Sequence, residues 1–121
     1  MSTDMLTWCE ISRSALTHNL NTLRRIAGDT VLIAPVVKGN AYGHGLTQVA
    51  SALTEGAADW LCVNDIDEAL LLRQQGVDLP IYVMGYVPAC RLDEVFEHGI
   101  RIVVYSDEML DAVAEAGVRS G

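Results

Sequence analysis

Apolar residues fall into short continuous runs, each followed by a stretch in which apolar positions are three or four residues apart. The runs begin near residues 31, 60, 81 and 100. Continuous runs are typical of strands that are buried on both faces, and the spaced stretches are typical of amphipathic helices. A glycine follows each helical stretch, where it can end the helix. The pattern therefore predicts four strand–helix units in succession.

The segment before these units predicts a short strand and a helix. Trp8–Ile11 alternates weakly between polar and apolar residues, which favours a strand. Ser12 can cap the helix that follows, and Gly28 is placed to end it in the left-handed conformation. The apolar stripe of this helix consists of Leu16, Leu20 and Leu23.

The later element boundaries follow from the same pattern. The predicted strands span residues 31–37, 60–63, 81–84 and 100–105. Pro35 lies inside the first of them, where it removes a backbone donor. Asp65 and Glu68 have the spacing of a capping box at the start of the next helix. The last predicted helix begins at Ser106 and ends at Gly117.

Four strand–helix units without a hairpin signal between them predict a parallel sheet. Right-handed crossovers bring the carboxyl ends of all four strands to one edge of that sheet. The segments at this edge are 38–45, 64–65, 85–86 and 106–107. Ligands bind at this edge in open α/β sheets and in (β/α)8 barrels. The sequence thus predicts an α/β fold with its functional residues in these loops.

Composition excludes some classes of partner. Half of the residues are hydrophobic, and the formal net charge is -8, which disfavours nucleic acids and anionic lipids as partners. No apolar stretch is long enough to cross a membrane, and no basic segment of a signal peptide is present. Cys9, Cys62 and Cys90 are widely spaced, so we expect reduced, half-buried thiols in a cytoplasmic protein and no metal site.

Lys38 is the only lysine in the chain, and it ends the most apolar run. Burying an ammonium is costly, whereas a lysine in an apolar pocket can form a Schiff base with an aldehyde. Three glycines in residues 39–45 permit a sharp turn, but the glycine patterns of phosphate and dinucleotide loops are absent. The residues alone leave other roles open: Lys38 can extend to solvent, Tyr42 can cover the core, and His44 can be an ordinary hydrogen-bonding group.

The segment PVVKGNAYGHG at residues 35–45 resembles the pyridoxal-phosphate signature of alanine racemases. The similarity extends to Ala15–Asn19, Glu68–Gly76 and Pro80–Ile81, and so covers nearly the whole chain. The resemblance implies that residues 1–121 form the N-terminal part of the family's (β/α)8 TIM-type barrel. A complete barrel takes roughly 250 residues, so we expect about half of one. The rest of the barrel and a C-terminal β domain are then expected outside these residues.

The same resemblance implies roles for four residues. Lys38 corresponds to the lysine that holds pyridoxal phosphate through a Schiff base and exchanges the α-proton on one face of the substrate. Tyr42 corresponds to a residue that binds the cofactor phosphate. Val36 and Met84 fall where the family lines the cofactor pocket.

The implied activity is the interconversion of L- and D-alanine by a cytoplasmic homodimer that supplies D-alanine for peptidoglycan. In the family, the second catalytic base is a tyrosine in the C-terminal domain of the other subunit. We therefore expect the 121 residues alone to be inactive, and to be partly molten or self-associated because strand edges are open. Alternatives are a related serine racemase, a barrel-fold amino-acid decarboxylase and a non-catalytic pyridoxal-phosphate-binding protein.

Overall fold

Three short strands form a parallel sheet in the order of the chain. They are β1 (Leu61–Val63), β2 (Ile81–Val83) and β3 (Ile100–Ile102). The computed structural model describes residues 6–121. Each strand is followed by a helix, so the carboxyl ends of the strands share one edge, as the sequence pattern predicts. The α/β fold with parallel strands is confirmed, and it forms only part of a barrel.

Besides one short 3-10 turn at Ala89–Arg91, residues 6–121 form six helical segments. They are α1 (Arg13–Ala27), α2 (Lys38–Tyr42), α3 (Leu46–Thr54), α4 (Ile66–Gln74), α5 (Leu92–Glu97) and α6 (Asp107–Ser120). The side chains of Ser12, Asp65 and Ser106 each accept a hydrogen bond from a backbone N–H three residues later. This confirms the predicted caps Ser12 and Asp65 and shows that Ser106 is the N-cap of α6. None of the helices within residues 6–121 has the length and apolar character needed to cross a bilayer.

One face of the sheet packs against the helices and forms the core. Leu61, Val63, Ile81 and Val83 are fully buried on this face. Helices α3 and α4 cover it with apolar side chains, including the fully buried Leu72. Complete burial of one such side chain stabilises the fold by about 1.5–3 kcal/mol. This layer therefore fixes the positions of the strand ends on which the site is built.

The opposite face of the sheet is less covered. The strand register aligns Val36, Cys62, Tyr82 and Arg101 across this face. The Arg101 guanidinium lies 4.5 Å from the centre of the Trp60 ring, a cation–π contact. In a closed barrel this face would point inward.

The predicted strand over 31–37 is reduced to one bridge, between Val36 and Cys62. The Cys62 N–H donates to the Pro35 carbonyl at 2.9 Å, and the Val37 N–H donates to the Cys62 carbonyl at 2.8 Å. The preceding bridge would need a donor at position 35, which proline lacks. The segment therefore runs parallel to β1 and occupies the place of the first strand, but it is not a regular strand.

Three other sequence predictions were wrong. Trp8–Ile11 has no regular secondary structure, and β3 ends at Ile102 rather than at residue 105. Helix α6 continues through Gly117, where a Cβ would lie 3.3 Å from the Phe96 ring. This glycine therefore permits close packing of α5 on α6 instead of ending a helix.

Exposure also differs from the expected pattern at two kinds of residue. Leu23, the last member of the predicted stripe on α1, is more than half exposed. Cys9 and Cys90 are exposed and only Cys62 is buried, so the expectation of three half-buried thiols was wrong, although all three cysteines are free.

An ion pair between Arg24 and Asp59 stabilises the edge of the sheet opposite Lys38. Arg24 donates to the Asp59 carboxylate and to the backbone carbonyls of Val31 and Ala57, which joins α1 to the segments on either side of α3. Asp59 also accepts a hydrogen bond from the Ile33 N–H at 2.6 Å. This N–H and the Arg24 guanidinium lower the pKa of Asp59.

Candidate functional site

Lys38 follows the extended segment at the edge where the strands end. Val37, directly before it, is 1% exposed and is fixed by its hydrogen bond to β1. The Lys38 side chain is half-buried and borders a cavity of about 330 Å³. The other lining residues are Gly39, Tyr42, Asn64, Asp65 and Glu68. The fold therefore places the single lysine beside a cavity between the first two strand–helix loops.

The residues after Lys38 form a left-handed helical turn. The φ angles of Gly39, Asn40, Ala41 and Tyr42 lie between 53° and 62°. The left-handed helical conformation costs roughly 1–2 kcal/mol for each residue that carries a Cβ. Ala41 is buried, and its N–H donates to the Val37 carbonyl at 2.8 Å. The surrounding structure therefore holds three non-glycine residues in an unfavourable conformation beside the lysine.

Two side chains tie this turn to its neighbours. The Asn40 carboxamide oxygen accepts a hydrogen bond from the Leu46 N–H at 2.8 Å and so joins the turn to α3. The Glu68 carboxylate accepts from the N–H groups of Asn40 and Asn64, both at 3.0 Å. The turn is thereby linked to α4 and to the loop that follows β1.

The capping-box prediction is right for Asp65 and wrong for Glu68. Asp65 accepts a hydrogen bond from the Glu68 N–H at 3.0 Å, as that motif requires. Glu68, however, bonds the N–H of Asn64 and not that of Asp65. Sequence spacing located both acidic residues, but the contact from Glu68 to the turn depends on tertiary structure and was missed.

Tyr42 is 63% exposed and lies between two cavities. It borders the Lys38 cavity and also a mainly apolar cavity of about 390 Å³ against α1. Val36, which is 39% exposed, lines this second cavity together with His44. The Nδ1 atom of His44 lies 2.8 Å from the Ala41 carbonyl oxygen, so this histidine contributes a hydrogen bond within the turn.

Met84 lies at the end of β2, where its N–H donates to the Val63 carbonyl at 2.9 Å. Its side chain is half-buried but lines neither of these two cavities. The structure thus brings Lys38 and Tyr42 to one cavity and Val36 with Tyr42 to the other. The functional roles of these four residues remain predictions.

The charged side chains around the lysine are acidic. Asp65 and Glu68 line its cavity, yet within residues 6–121 no carboxylate forms an ion pair with the Lys38 ammonium. Burial raises the pKa of the nearby Cys62 thiol, which makes it a poor nucleophile. The primary amine of Lys38 is therefore the group here best suited to react with a carbonyl compound.

Gly85 lets the loops at this edge approach closely. Its N–H donates to the Asn64 carbonyl at 3.0 Å, and a Cβ at this position would lie 2.3 Å from that oxygen. Real Cβ atoms do not come so near to a backbone oxygen. A glycine is therefore required here to keep the loop that carries Asn64 in place.

Comparison with known proteins gives one consistent family. Residues 11–121 match the family model described as alanine racemase, N-terminal domain. The chain is 39% identical over 115 residues to an alanine racemase from Symbiobacterium thermophilum. That alignment covers 95% of this chain and 30% of the relative. The chain thus spans less than a third of the length of the curated relatives it matches.

Solved structures show the same similarity. The fold superposes on alanine racemase from Clostridium difficile 630 with a TM-score of 0.91 and 33% identity, covering 98% of this chain and 31% of the other. A histidine racemase from Leuconostoc mesenteroides subsp. sake gives a TM-score of 0.82 and 31% identity, covering 90% of this chain and 29% of the other. The similarity therefore includes racemases with different amino-acid substrates in their names.

Proposed function

Because the chain belongs to the alanine racemase N-terminal domain family, we propose that the protein carrying it is a pyridoxal-phosphate-dependent racemase that interconverts L- and D-alanine. The observation that carries the proposal is the position of Lys38. This half-buried amine ends the first extended segment of a partial barrel and borders a cavity at the edge where such folds bind ligands. The proposed enzyme is a cytoplasmic homodimer that supplies D-alanine for peptidoglycan.

The residues at this edge fit an aldehyde cofactor that carries a phosphate. Lys38 offers the primary amine that would hold it, and the exposed Tyr42 offers a hydroxyl for the phosphate. The proposed apolar neighbours of the cofactor are Val36, which lines the second cavity, and Met84, which follows β2. When bound, pyridoxal phosphate supplies a conjugated ring that withdraws electrons from the α-carbon of the substrate.

Lys38 is also the proposed base on one face of the substrate. Its Nζ atom would accept the α-proton, and the cavity of about 330 Å³ beside it is the proposed place of the substrate. The partner of this base must lie on the opposite face, because a single base returns the proton mainly to the side from which it came. We propose that this partner is a tyrosine in the C-terminal domain of the other subunit of the homodimer.

The substrate class is tested directly. The purified full-length protein, supplied with pyridoxal phosphate, should convert L-alanine to D-alanine and D-alanine to L-alanine. Both conversions are measured by chiral chromatography. L-histidine and L-serine are assayed in parallel, because the similarity to a histidine racemase makes a different substrate the second candidate. Faster turnover of either would reassign the substrate. Tight binding of the cofactor with no racemisation of any amino acid would favour a non-catalytic carrier and contradict the proposal.

Tyr42→Phe should weaken cofactor binding while leaving most of the turnover. The change removes one hydrogen bond to a charged phosphate, which is worth about 1.5–3 kcal/mol, so the Kd should rise by about one to two decades. The Kd is measured by absorbance titration of the full-length protein. Tyr86→Phe is the matched control, because Tyr86 is similarly exposed and lies outside the Lys38 cavity. Loss of turnover at full cofactor occupancy would show that Tyr42 has a chemical role.

A further inference from the structure

The left-handed turn after Lys38 needs an external support, and Glu68 provides one. A helical turn leaves its first N–H groups without partners inside the turn. The Asn40 N–H is one of these, and the Glu68 carboxylate accepts it at 3.0 Å. The other oxygen of the same carboxylate accepts a hydrogen bond from the Asn64 N–H at 3.0 Å, and Asn64 also lines the Lys38 cavity. One side chain thus satisfies two backbone donors that belong to different loops.

Glu68 is itself firmly placed. It lies in the first turn of α4, and its N–H donates to the capping carboxylate of Asp65. The next residue of that helix, Ala69, is fully buried in the core. The carboxylate therefore projects from a fixed helix end towards a turn whose backbone conformation is unfavourable by itself.

We propose that Glu68 is a positioning residue, which fixes the direction from which the Lys38 amine enters its cavity. Asn40 is two residues from Lys38, so a shift of the turn moves the lysine backbone directly. The functional part of this inference rests on the proposed role of Lys38, and small displacements of a reacting group are costly in rate. Each carboxylate oxygen accepts one of the two backbone N–H groups, and we assign Glu68 this supporting role without a chemical step of its own.

The test is Glu68→Gln in the full-length protein. Glutamine keeps the shape, but its amide nitrogen cannot accept a hydrogen bond, so one of the two backbone donors loses its partner. Hydrogen–deuterium exchange at Asn40 or Asn64 in the cofactor-free protein should become about tenfold faster or more. Covalent uptake of pyridoxal phosphate by Lys38, trapped with borohydride, should slow about tenfold to a hundredfold, and kcat per loaded site should fall similarly with KM nearly unchanged.

Asp67→Asn is the matched control, because it removes a neighbouring carboxylate from the same helix end without touching the turn. It should leave exchange, uptake and kcat close to wild type. Unchanged exchange at both amides in Glu68→Gln would overturn the inference. Faster exchange with wild-type uptake and kcat would also overturn it, since Glu68 would then stabilise the loop without orienting the lysine. Exchange and uptake need no racemase activity, so failure of the proposed function is distinguishable from failure of this inference.

Discussion

Lys38→Ala is expected to abolish racemisation of alanine, with a loss of at least about 10⁴-fold in kcat. The variant lacks both the amine that would hold the cofactor and the proposed base. The visible absorbance of the bound cofactor should disappear together with the activity. In the wild-type protein, borohydride should fix the cofactor on the peptide that contains residue 38, and this peptide is identified by mass spectrometry. Within the 121 residues no second lysine competes for the label.

Lys38→Arg is the control for charge. Arginine keeps a cation at the end of the extended segment but stays protonated, so it can neither attack an aldehyde nor accept a proton. It should be as inactive as Lys38→Ala while folding normally. If either variant retains substantial racemase activity, or if the label appears on a lysine elsewhere in the full-length protein, the assignment of Lys38 is wrong.

Gly85→Ala is expected to destabilise the fold by about 3 kcal/mol. The added Cβ would lie 2.3 Å from the Asn64 carbonyl oxygen, and a backbone atom cannot move aside as a flexible side chain can. Separating the two loops also lengthens the hydrogen bond from the Gly85 N–H to that oxygen. The loss should be measured as a lower midpoint of urea unfolding and a lower yield of folded protein.

Gly117→Ala is the matched control, and its stability is measured by the same urea unfolding experiment. Its Cβ would lie 3.3 Å from the Phe96 ring, which can shift, and alanine favours the helix by about 1 kcal/mol over glycine. The net change in the free energy of unfolding should therefore stay within about 1 kcal/mol. A Gly85→Ala variant as stable as Gly117→Ala would show that the two loops can separate without cost.

The order and type of most elements could be predicted from the amino-acid sequence alone. Continuous apolar runs and helical stripes identified the parallel units, because burial on both faces leaves a readable pattern along the chain. Ser12 and Asp65 were identifiable as caps, since capping bonds join residues three positions apart. The resemblance around Lys38 identified the family, which the comparisons confirm.

The features that could not be predicted depend on contacts between residues that are distant in the chain. The left-handed conformation of Asn40, Ala41 and Tyr42 has no local signal, because these residues disfavour it unless neighbouring loops hold them. The hydrogen bond that the Asn40 N–H donates to Glu68 joins residues 28 positions apart. Gly117 looked like a helix end, but its small size serves contact with Phe96 on another helix. A short-range pattern shows which backbone states are available, and only long-range packing selects among them.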